Sequence, residues 1–452
     1  MHRPSDTVMF YRPLIVGFGV VGQALATQVA GRGYSPVIVE DHPSAHKRAV
    51  AAEIGVTLVE APDHAELAQA LAASTVLLPS PGIPDNHPVF ALARRQQMKT
   101  LSEFDLARQW DKRPIVAITG TNGKTSVTML VTDALNRSGI RSAAVGNTEV
   151  PLIAALNDRS TQVFVVEASS FRLGHTRRFV PQVATWLNFA PDHLDAHESL
   201  ESYEGAKASI WAHLPSGATA IGNADDDVVS RHLSEVDKGS NTRTQQFSIV
   251  DTTAEWHLDD GVLVGPNGPV MRSDELKRSR PHDVANVLAA IATATAAGAE
   301  LGAAVEAASA FEGLEHRLQL VGVHRGVEWF NDSKATVPQA TLAAVGGFGS
   351  VVLIAGGKNK GLDLSDMGRV VPPVRHVVAI GDAAEEVRDV FDGIVEVSMA
   401  HSMDEAVEQS RRVAVEGDAV LLSPGCTSFD WYRSYVERGV HFTQLVEKMI
   451  GS

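Results

Sequence analysis

The sequence predicts an α/β fold made of three consecutive blocks, each built on a largely parallel, doubly wound sheet. Three observations carry that prediction. Short β-branched runs alternate with Ala-rich helical runs through almost all of the 452 residues, the pattern of strand–helix–strand units. A chain of this length exceeds what one hydrophobic core serves, so two or three domains are expected. The alternation restarts near Asp111 and again near Gly313, which sets blocks at 1–110, 111–312 and 313–452.

In the first block PLIVGFG reads as a strand and VGQALATQVAGRG as a helix, with Gly33 where a helix end takes a left-handed residue. PVIVED and ALAASTVLLPSPGIP supply further strands, the second closing in a Pro/Gly turn. The second block has PIVAIT, SAAVG, VFVVE, VATWLN and TAIGN as strands. QQFSIV, EWHLDD, GVLVG and GPVMR read as short antiparallel strands with glycine turns, and one helix, NVLAAIATATAAGAELGAAVEAASAF, closes the block. The third block offers VEWFN, VVLIAGG, HVVAIGD, VEVSM and AVLLSPG. Sheets of this kind bind ligands at the carboxyl ends of their strands, and the motifs below sit at such ends.

Composition narrows the function. A net charge of −15 argues against broad contact with nucleic acid or an anionic membrane, while leaving room for a local phosphate pocket. The single cysteine, Cys426, excludes an intramolecular disulfide and fits a reducing compartment. No apolar run is long enough for a membrane span, and MHRPSDTVMFYRP lacks the apolar stretch of a signal peptide. A cytoplasmic monomer acting on small molecules is expected.

The strongest motif is IVAITGTNGKTSVTMLV, a strand, a glycine loop and a helix. Backbone N–H groups of Gly120, Thr121, Asn122 and Gly123 would converge on phosphate oxygens, assisted by the following helix N-terminus. Lys124 would add a mobile positive charge, and Thr125 and Ser126 hydroxyls, the first suited to Mg²⁺. The common pattern GxxxxGK followed by Ser or Thr wants a first glycine at position 118, where Ile118 stands. Glu167 ends the strand VFVVE, either as a second metal ligand or as a cap for the next helix. Asp192, His193, Asp195 and His197 then form a cluster with metal-ligand chemistry suited to zinc or iron, or a solvated loop. Lys207, on a helix, reads by itself as a snorkelling surface lysine.

Taken in order, these residues resemble the Mur ligase family, the ATP-dependent amide-forming enzymes of peptidoglycan assembly. Thr119-Gly-Thr-Asn-Gly-Lys-Thr125 is that family's form of the loop and accounts for the missing glycine. The likeness runs through Gly146-Asn147, Glu167-Ala-Ser-Ser-Phe171, Asn188, Asp192-His193-Leu-Asp195, Lys207, Asn286, Glu315-His316-Arg317 and Asn331-Asp332-Ser333-Lys334-Ala-Thr336. Gly356-Gly-Lys-Asn-Lys360-Gly-Leu-Asp363 and Ser423-Pro-Gly-Cys-Thr-Ser428-Phe429-Asp430, with Glu437-Arg438-Gly439, are similar to the glutamate-adding members.

The resemblance implies three domains: an N-terminal Rossmann-like sheet for a UDP-linked substrate, a central P-loop ATPase-like domain, and a C-terminal Rossmann-like domain that closes over ATP and binds glutamate. It implies phosphorylation of the carboxylate of UDP-N-acetylmuramoyl-L-alanine by ATP, then attack by the amine of glutamate, with D-glutamate expected. Lys124, Glu167, His193 and Lys207 are the implied catalytic set. Thr125, Glu167, His193 and Lys207 are the implied ligands of two Mg²⁺ ions, Lys207 as a carbamate. ATP would contact Gly120 to Ser126, with Asn286, Arg317 and Asp332. His193, Lys334, Thr336, Lys360, Ser428 and Phe429 are implied around glutamate. The segment Phe311–Glu315 is expected to act as the hinge.

Gly17-Phe-Gly19-Val-Val-Gly22 follows a strand and opens a helix, and Glu40 and Asp41 end the next strand about 20 residues on, as in dinucleotide folds. Taken alone this fits NAD(P) binding. The resemblance assigns UDP to the same crevice instead, lined by Gly17, Gly19, Val20, Val21, Glu40, Asp41, Ser80 and Gly82, with Asn147 near the sugar or alanine. Three positions depart from the glutamate-adding pattern: Val21 for Ser or Thr, Val337 for Asn, and Asn359 for Asp. Competing readings are an L-glutamate-adding relative, a folylpolyglutamate-synthase-like ligase, an NAD-dependent oxidoreductase and a non-enzymatic regulator. Cys426 reads as a buried small hydrophobe rather than a nucleophile.

Overall fold

Three sheets organise the chain, each fed by alternating strands and helices. The computed structural model describes residues 11–148, 150–191, 199–236, 241–359 and 362–451, and the chain divides into two compact units, Met1–Phe311 and Glu312–Ser452.

The first unit opens with β1 (Pro13–Val16), α1 (Val20–Ala30), β2 (Val37–Glu40), α2 (Ala45–Ile54), β3 (Thr57–Glu60), α3 (His64–Ala72) and β4 (Val76–Pro79). These strands form a parallel sheet in the order β3-β2-β1-β4. PLIV, VIVE and VLLP are buried on both faces, which is why they read as continuous apolar runs. The edge strand TLVE is half exposed and gave no comparable signal. The run expected as a strand from Ala70 belongs to α3 as far as Ala72, and the strand starts at Val76. Gly33 has φ +83°, as expected at a helix end, three residues beyond Ala30.

Two helices, α4 (Pro88–Arg95) and α5 (Glu103–Trp110), lead into the second sheet. Its strands are β5 (Ile115–Thr119), β6 (Ser142–Gly146), β7 (Val163–Glu167), β8 (Val183–Trp186), β9 (Thr219–Asn223), β10 (Arg243–Ser248), β11 (Trp256–Asp259), β12 (Val262–Gly265) and β13 (Gly268–Arg272). Their order is β13-β12-β11-β10-β9-β8-β5-β7-β6, so β5 lies among the parallel strands. Between them run α6 (Lys124–Arg137), α7 (Leu152–Ala155), α8 (Ser170–Gly174), α9 (Leu200–Ala208) and α10 (Asp227–Ser234).

Two expectations are corrected here. QQFSIV is not antiparallel: β10 pairs parallel with both β9 and β11, because α10 carries the crossover from β9, and only β11 to β13 form an antiparallel meander. The long C-terminal helix is two, α11 (Pro281–Ala296) and α12 (Leu301–Ala310), separated at Gly298 with φ +99°. Both pack against α6. One apolar cluster runs from Ile15, Phe18 and Leu25 through Phe104, Leu152 and Ile153 to Phe164 and Trp186. The first two sheets therefore share a core, with α5 and α7 between them.

The second unit contains β14 (Gln319–His324), β15 (Val327–Asn331), α13 (Pro338–Val345), β16 (Val351–Gly356), β17 (Val374–Ile380), α14 (Ala384–Phe391), β18 (Glu396–Ala400), α15 (Met403–Val413), β19 (Ala419–Gly425) and α16 (Tyr435–Ile450). The order is β14-β15-β19-β16-β17-β18, parallel except for the β14–β15 hairpin. QLVGVH, a part-exposed edge strand interrupted by Gly322, was not anticipated.

Candidate active site

The phosphate loop joins β5 to α6 at the carboxyl end of the second sheet. Gly123 is the residue before the helix and has φ +83°, a conformation that favours glycine. A Cβ there would also run into Asn286 Oδ1, so α11 brings Asn286 directly against the loop. Asn188, for which the sequence supplied only a place in the motif, fastens the loop from the end of β8. Its Oδ1 accepts from Asn122 N at 2.8 Å and its carbonyl from Thr121 N at 3.1 Å. Thr121 Oγ1 lies 3.1 Å from the Tyr203 hydroxyl and 3.2 Å from the Ala190 carbonyl. Thr125 and Ser126 fall in the first turn of α6.

Two ammonium groups meet at one loop carbonyl. Lys124 Nζ donates to the Gly120 and Thr121 carbonyls at 2.9 and 2.8 Å, and Lys207 Nζ donates to Gly120 O at 2.7 Å. Lys207 is only 1 % exposed, so the reading of it as a snorkelling surface lysine is overturned. Burial in α9 beside Tyr203, whose ring lies 4.6 Å from Nζ, points its head inward.

Glu167 ends β7 beside the loop and is also buried. Its Oε1 accepts from Asn147 Nδ2 at 3.0 Å, and its backbone carbonyl from Asn147 N at 2.8 Å. Its Oε2 is buried and has no hydrogen-bond partner among the described residues. A buried carboxylate oxygen left unpaired suits an oxygen-seeking cation such as Mg²⁺. The alternative of Glu167 as a helix cap is not realised, since α8 has Ser169 before it and no side-chain cap. Among the described residues, no three His, Cys, Asp or Glu side chains are grouped to hold a metal. Asp192, His193, Asp195 and His197 lie outside the described residues, as does Lys360.

At the first sheet, Gly17 has φ +86°; its N–H donates to Val39 O at 2.8 Å and its carbonyl accepts from Ser80 Oγ at 2.7 Å. A side chain at Gly22 would strike the Gly17 carbonyl, which explains the third glycine. Gly19 precedes α1, and neither it nor Gly82 has a neighbour where a Cβ would stand. Glu40 is occupied: its carboxylate accepts from Phe18 N at 2.7 Å and His42 N at 2.8 Å and pairs with Lys47 at 2.9 Å. Burial opposes its ionisation, but those bonds outweigh it and hold the carboxyl below its usual range. A dinucleotide reading needs that carboxylate for a ribose, and here it braces the glycine loop instead. Asp41 meets His87 Nε2 at 3.1 Å. Val21 packs into the core and its side chain does not line a crevice, whereas Val20 is exposed.

In the second unit, Asp332 follows β15, with Oδ1 accepting from Leu318 N at 3.1 Å and Oδ2 from Ser423 Oγ at 2.7 Å. Burial pushes its carboxyl up to about 7, against the pull of Ser423, Leu318, Arg317 and Arg438. Asn331 and Arg438, which carried no assigned role, organise the surroundings. Asn331 Nδ2 reaches His316 Nδ1, Gly439 O and Thr443 Oγ1 at 3.0, 2.9 and 3.0 Å. The buried Arg438 guanidinium donates to Ser333 Oγ and O, both at 2.9 Å, and to Cys426 O at 3.1 Å. A buried arginine in the run Glu437-Arg438-Gly439 was the available signal. Lys334 Nζ stands 5.8 Å from the Tyr435 ring, Thr336 is half-buried, Ser428 is buried and Phe429 exposed. Cys426 is buried and its thiol pushed up to about 12, as befits a structural residue.

Residues 118–294 match the Mur ligase middle domain and 316–426 the Mur ligase glutamate ligase domain. The UDP-N-acetylmuramoylalanine–D-glutamate ligase of Bdellovibrio bacteriovorus is 34% identical over 465 aligned residues, spanning 99% of this chain and 100% of that protein. The chain belongs to the Mur ligase family. The enzyme of the same name from Salinibacter ruber is 36% identical, covering 98% of this Mur ligase and 99% of its own length. Among solved structures, a UDP-N-acetylmuramate–alanine ligase from Thermotoga maritima aligns with TM-score 0.55 at 17% identity, covering 97% of this chain and 99% of that one. A pseudomurein peptide ligase type C from Methanothermus fervidus gives 0.55 at 16%, over 97% and 100%. At these identities the structures speak for the Mur ligase fold.

Proposed function

We propose that this Mur ligase is the enzyme that joins D-glutamate to UDP-N-acetylmuramoyl-L-alanine at the expense of ATP, in peptidoglycan precursor synthesis. The observation that carries it is end-to-end likeness, at 34% and 36% identity, to ligases of that name. The D enantiomer is preferred because it stands in those names. We assign residues 1–110 to the UDP-linked substrate, 111–312 to ATP and 313–452 to closure over ATP and to glutamate.

In this reading the amides of Gly120 to Gly123 and the Lys124 ammonium hold the β- and γ-phosphates, with Thr125, Ser126 and Asn286 beside them. Thr125 and Glu167 would hold one Mg²⁺, and His193 with Lys207 a second; bound there, the metal would supply positive charge against the phosphate oxygens. A lysine ammonium cannot ligate a cation, so Lys207 serves as a carbamate formed from its neutral amine and CO₂. Uptake of labelled bicarbonate, lost in Lys207→Arg, tests that modification. Gly17, Gly19, Val20, Ser80, Gly82 and Asn147 hold the UDP-muramoyl substrate, Val21 contributing backbone and Glu40 and Asp41 bracing the crevice. Arg317 and Asp332 serve the nucleotide; Lys334, Thr336, Lys360, Ser428 and Phe429, with His193, serve glutamate.

The reaction moves the γ-phosphoryl group from ADP oxygen to the alanyl carboxylate oxygen, giving an acyl phosphate. The glutamate amine attacks the carbonyl carbon, phosphate leaves with the C–O electron pair, and the ammonium proton passes to solvent. No side chain forms a covalent intermediate, so positioning and charge stabilisation supply the acceleration. The test is phosphate release from ATP with UDP-N-acetylmuramoyl-L-alanine and each glutamate enantiomer. Release with D-glutamate is expected; release with neither overturns the proposal, and release with L-glutamate alone reassigns the specificity.

A further inference from the structure

A buried ion pair lies behind the loops that carry Glu167 and Asn147, joining α5 to α8. The Glu103 carboxylate at the start of α5 is 2 % exposed and meets the buried Arg172 guanidinium of α8 through Oε2. Its other oxygen accepts from Ile153 N, at 3.1 Å, in α7. One carboxylate thus grips both α7 and α8. The helix α7 follows the Gly146–Asn147 turn and α8 follows Glu167, and the two turns are themselves hydrogen-bonded through Asn147.

The surrounding contacts fix the same first turn of α5. Asp105 Oδ1 accepts from Arg178 N at 2.7 Å and Arg177 N at 3.1 Å, and Thr176 Oγ1 donates to Ser102 Oγ at 2.8 Å. Phe104 stacks on Phe179 with centroids 4.8 Å apart. A buried charge pair with an apolar alternative is poor value for stability alone, and burial pushes the Glu103 carboxyl up despite Arg172. Its geometry suits placement: it couples the segment joining two sheets to the two helices that follow the Asn147 and Glu167 turns.

We infer that Glu103 and Arg172 are positioning residues that set the Glu167–Asn147 edge of the site and thereby the affinity for the divalent cation. The inference rests on the reading of Glu167 as a cation ligand. Groups bonded directly to a metal ligand change affinity by about 10–100-fold when removed; Glu103 and Arg172 act one step further back, through α7 and α8, so the low end, about tenfold, is the effect expected here.

The experiment compares wild type with Glu103→Gln, Arg172→Met and the double variant. Mn²⁺ binding in the presence of a non-hydrolysable ATP analogue is read by electron paramagnetic resonance, without acceptor substrate, and metal-free binding of the analogue is measured alongside. Positioning predicts Mn²⁺ affinity weakened about tenfold, analogue affinity without metal unchanged, and a raised KM for the muramoyl substrate. Either single variant buries an unpaired charge, so the double variant carries the test where a single one fails to fold. A folded double variant that binds Mn²⁺ like wild type overturns the inference. A wild type that binds Mn²⁺ with the analogue but performs no ligation fails the proposed function and leaves the inference standing.

Discussion

Replacing Asp332 by Asn should stabilise the second unit, and increasingly so as pH rises. The carboxyl is 5 % exposed and burial raises it from 3.8 to about 7. A raised carboxyl means that the folded state keeps its proton where the unfolded state has lost it. Between pH 3.8 and about 7 the native protein therefore binds more protons, and wild-type stability declines with pH through that window. Each pH unit across which the states differ by one proton is worth about 1.4 kcal/mol. From about pH 5 to about pH 8 only the first two units count, so wild type should lose about 3 kcal/mol relative to Asp332→Asn. Asparagine keeps an acceptor for Leu318 N and offers a donor to Ser423 Oγ, whose hydroxyl can turn to Thr341 Oγ1 at 3.3 Å. The assay is hydrogen exchange of β15 and β19 amides in both proteins at matched pH, which cancels intrinsic exchange rates. Protection free energies that stay parallel from pH 5 to pH 8 would show that Asp332 is ionised throughout, and the burial reasoning would fall.

Three further outcomes follow from single contacts. Gly123→Ala places a side chain against Asn286 Oδ1 at φ +83° and should weaken ATP binding by at least about tenfold, measured by calorimetry; unchanged affinity would mean the loop is not held as described. Cys426→Ala should keep ligation within about twofold and native Cys426 should resist alkylation, while a folded but inactive variant would overturn its structural assignment. Asn359 Nδ2 donates to both Glu386 oxygens at 3.0 Å, so Asn359→Asp should lower the thermal midpoint by about 2 °C and Glu386→Gln should restore it in the double variant; no recovery would remove repulsion as the cause.

Strands buried on both faces, such as VVLIAG and VFVVE, were the plainest to read, since their apolar runs need no partner to be recognised. TLVE and QLVGVH are part-exposed edge strands, the first only four residues long and the second interrupted by Gly322, and they escaped although SAAVG, GPVMR and VEVSM, also at sheet edges, were read. The split at Gly298 was visible as a glycine inside an alanine run, yet composition alone let the helix pass through it. At the site, the residues with a local reason, Gly123 and Lys124, were legible from spacing. Asn188, Asn331 and Arg438 act across long sequence separations, and their burial and partners exist only after folding. Lys207 is the sharpest case: nothing local distinguishes a buried lysine from a solvated one on an amphipathic helix.

The missing first glycine also has a physical account. Ile118 is buried within β5, where its register partner across the ladder is Glu167, and its carbonyl accepts from Ala168 N at 2.8 Å. The strand continues to Thr119, whose hydroxyl donates to Ala168 O at 2.8 Å, so the loop begins only at Gly120. On the other side of β7, Gly146 pairs with Glu167 in β6. Extending β5 by the residues that a longer glycine loop would consume thus aligns the ends of three neighbouring strands. That alignment sets the Glu167 carboxylate beside the loop and within reach of Asn147. A glycine at position 118 would weaken the very strand pairing that places the acid, so the shorter loop and the carboxylate belong to one design.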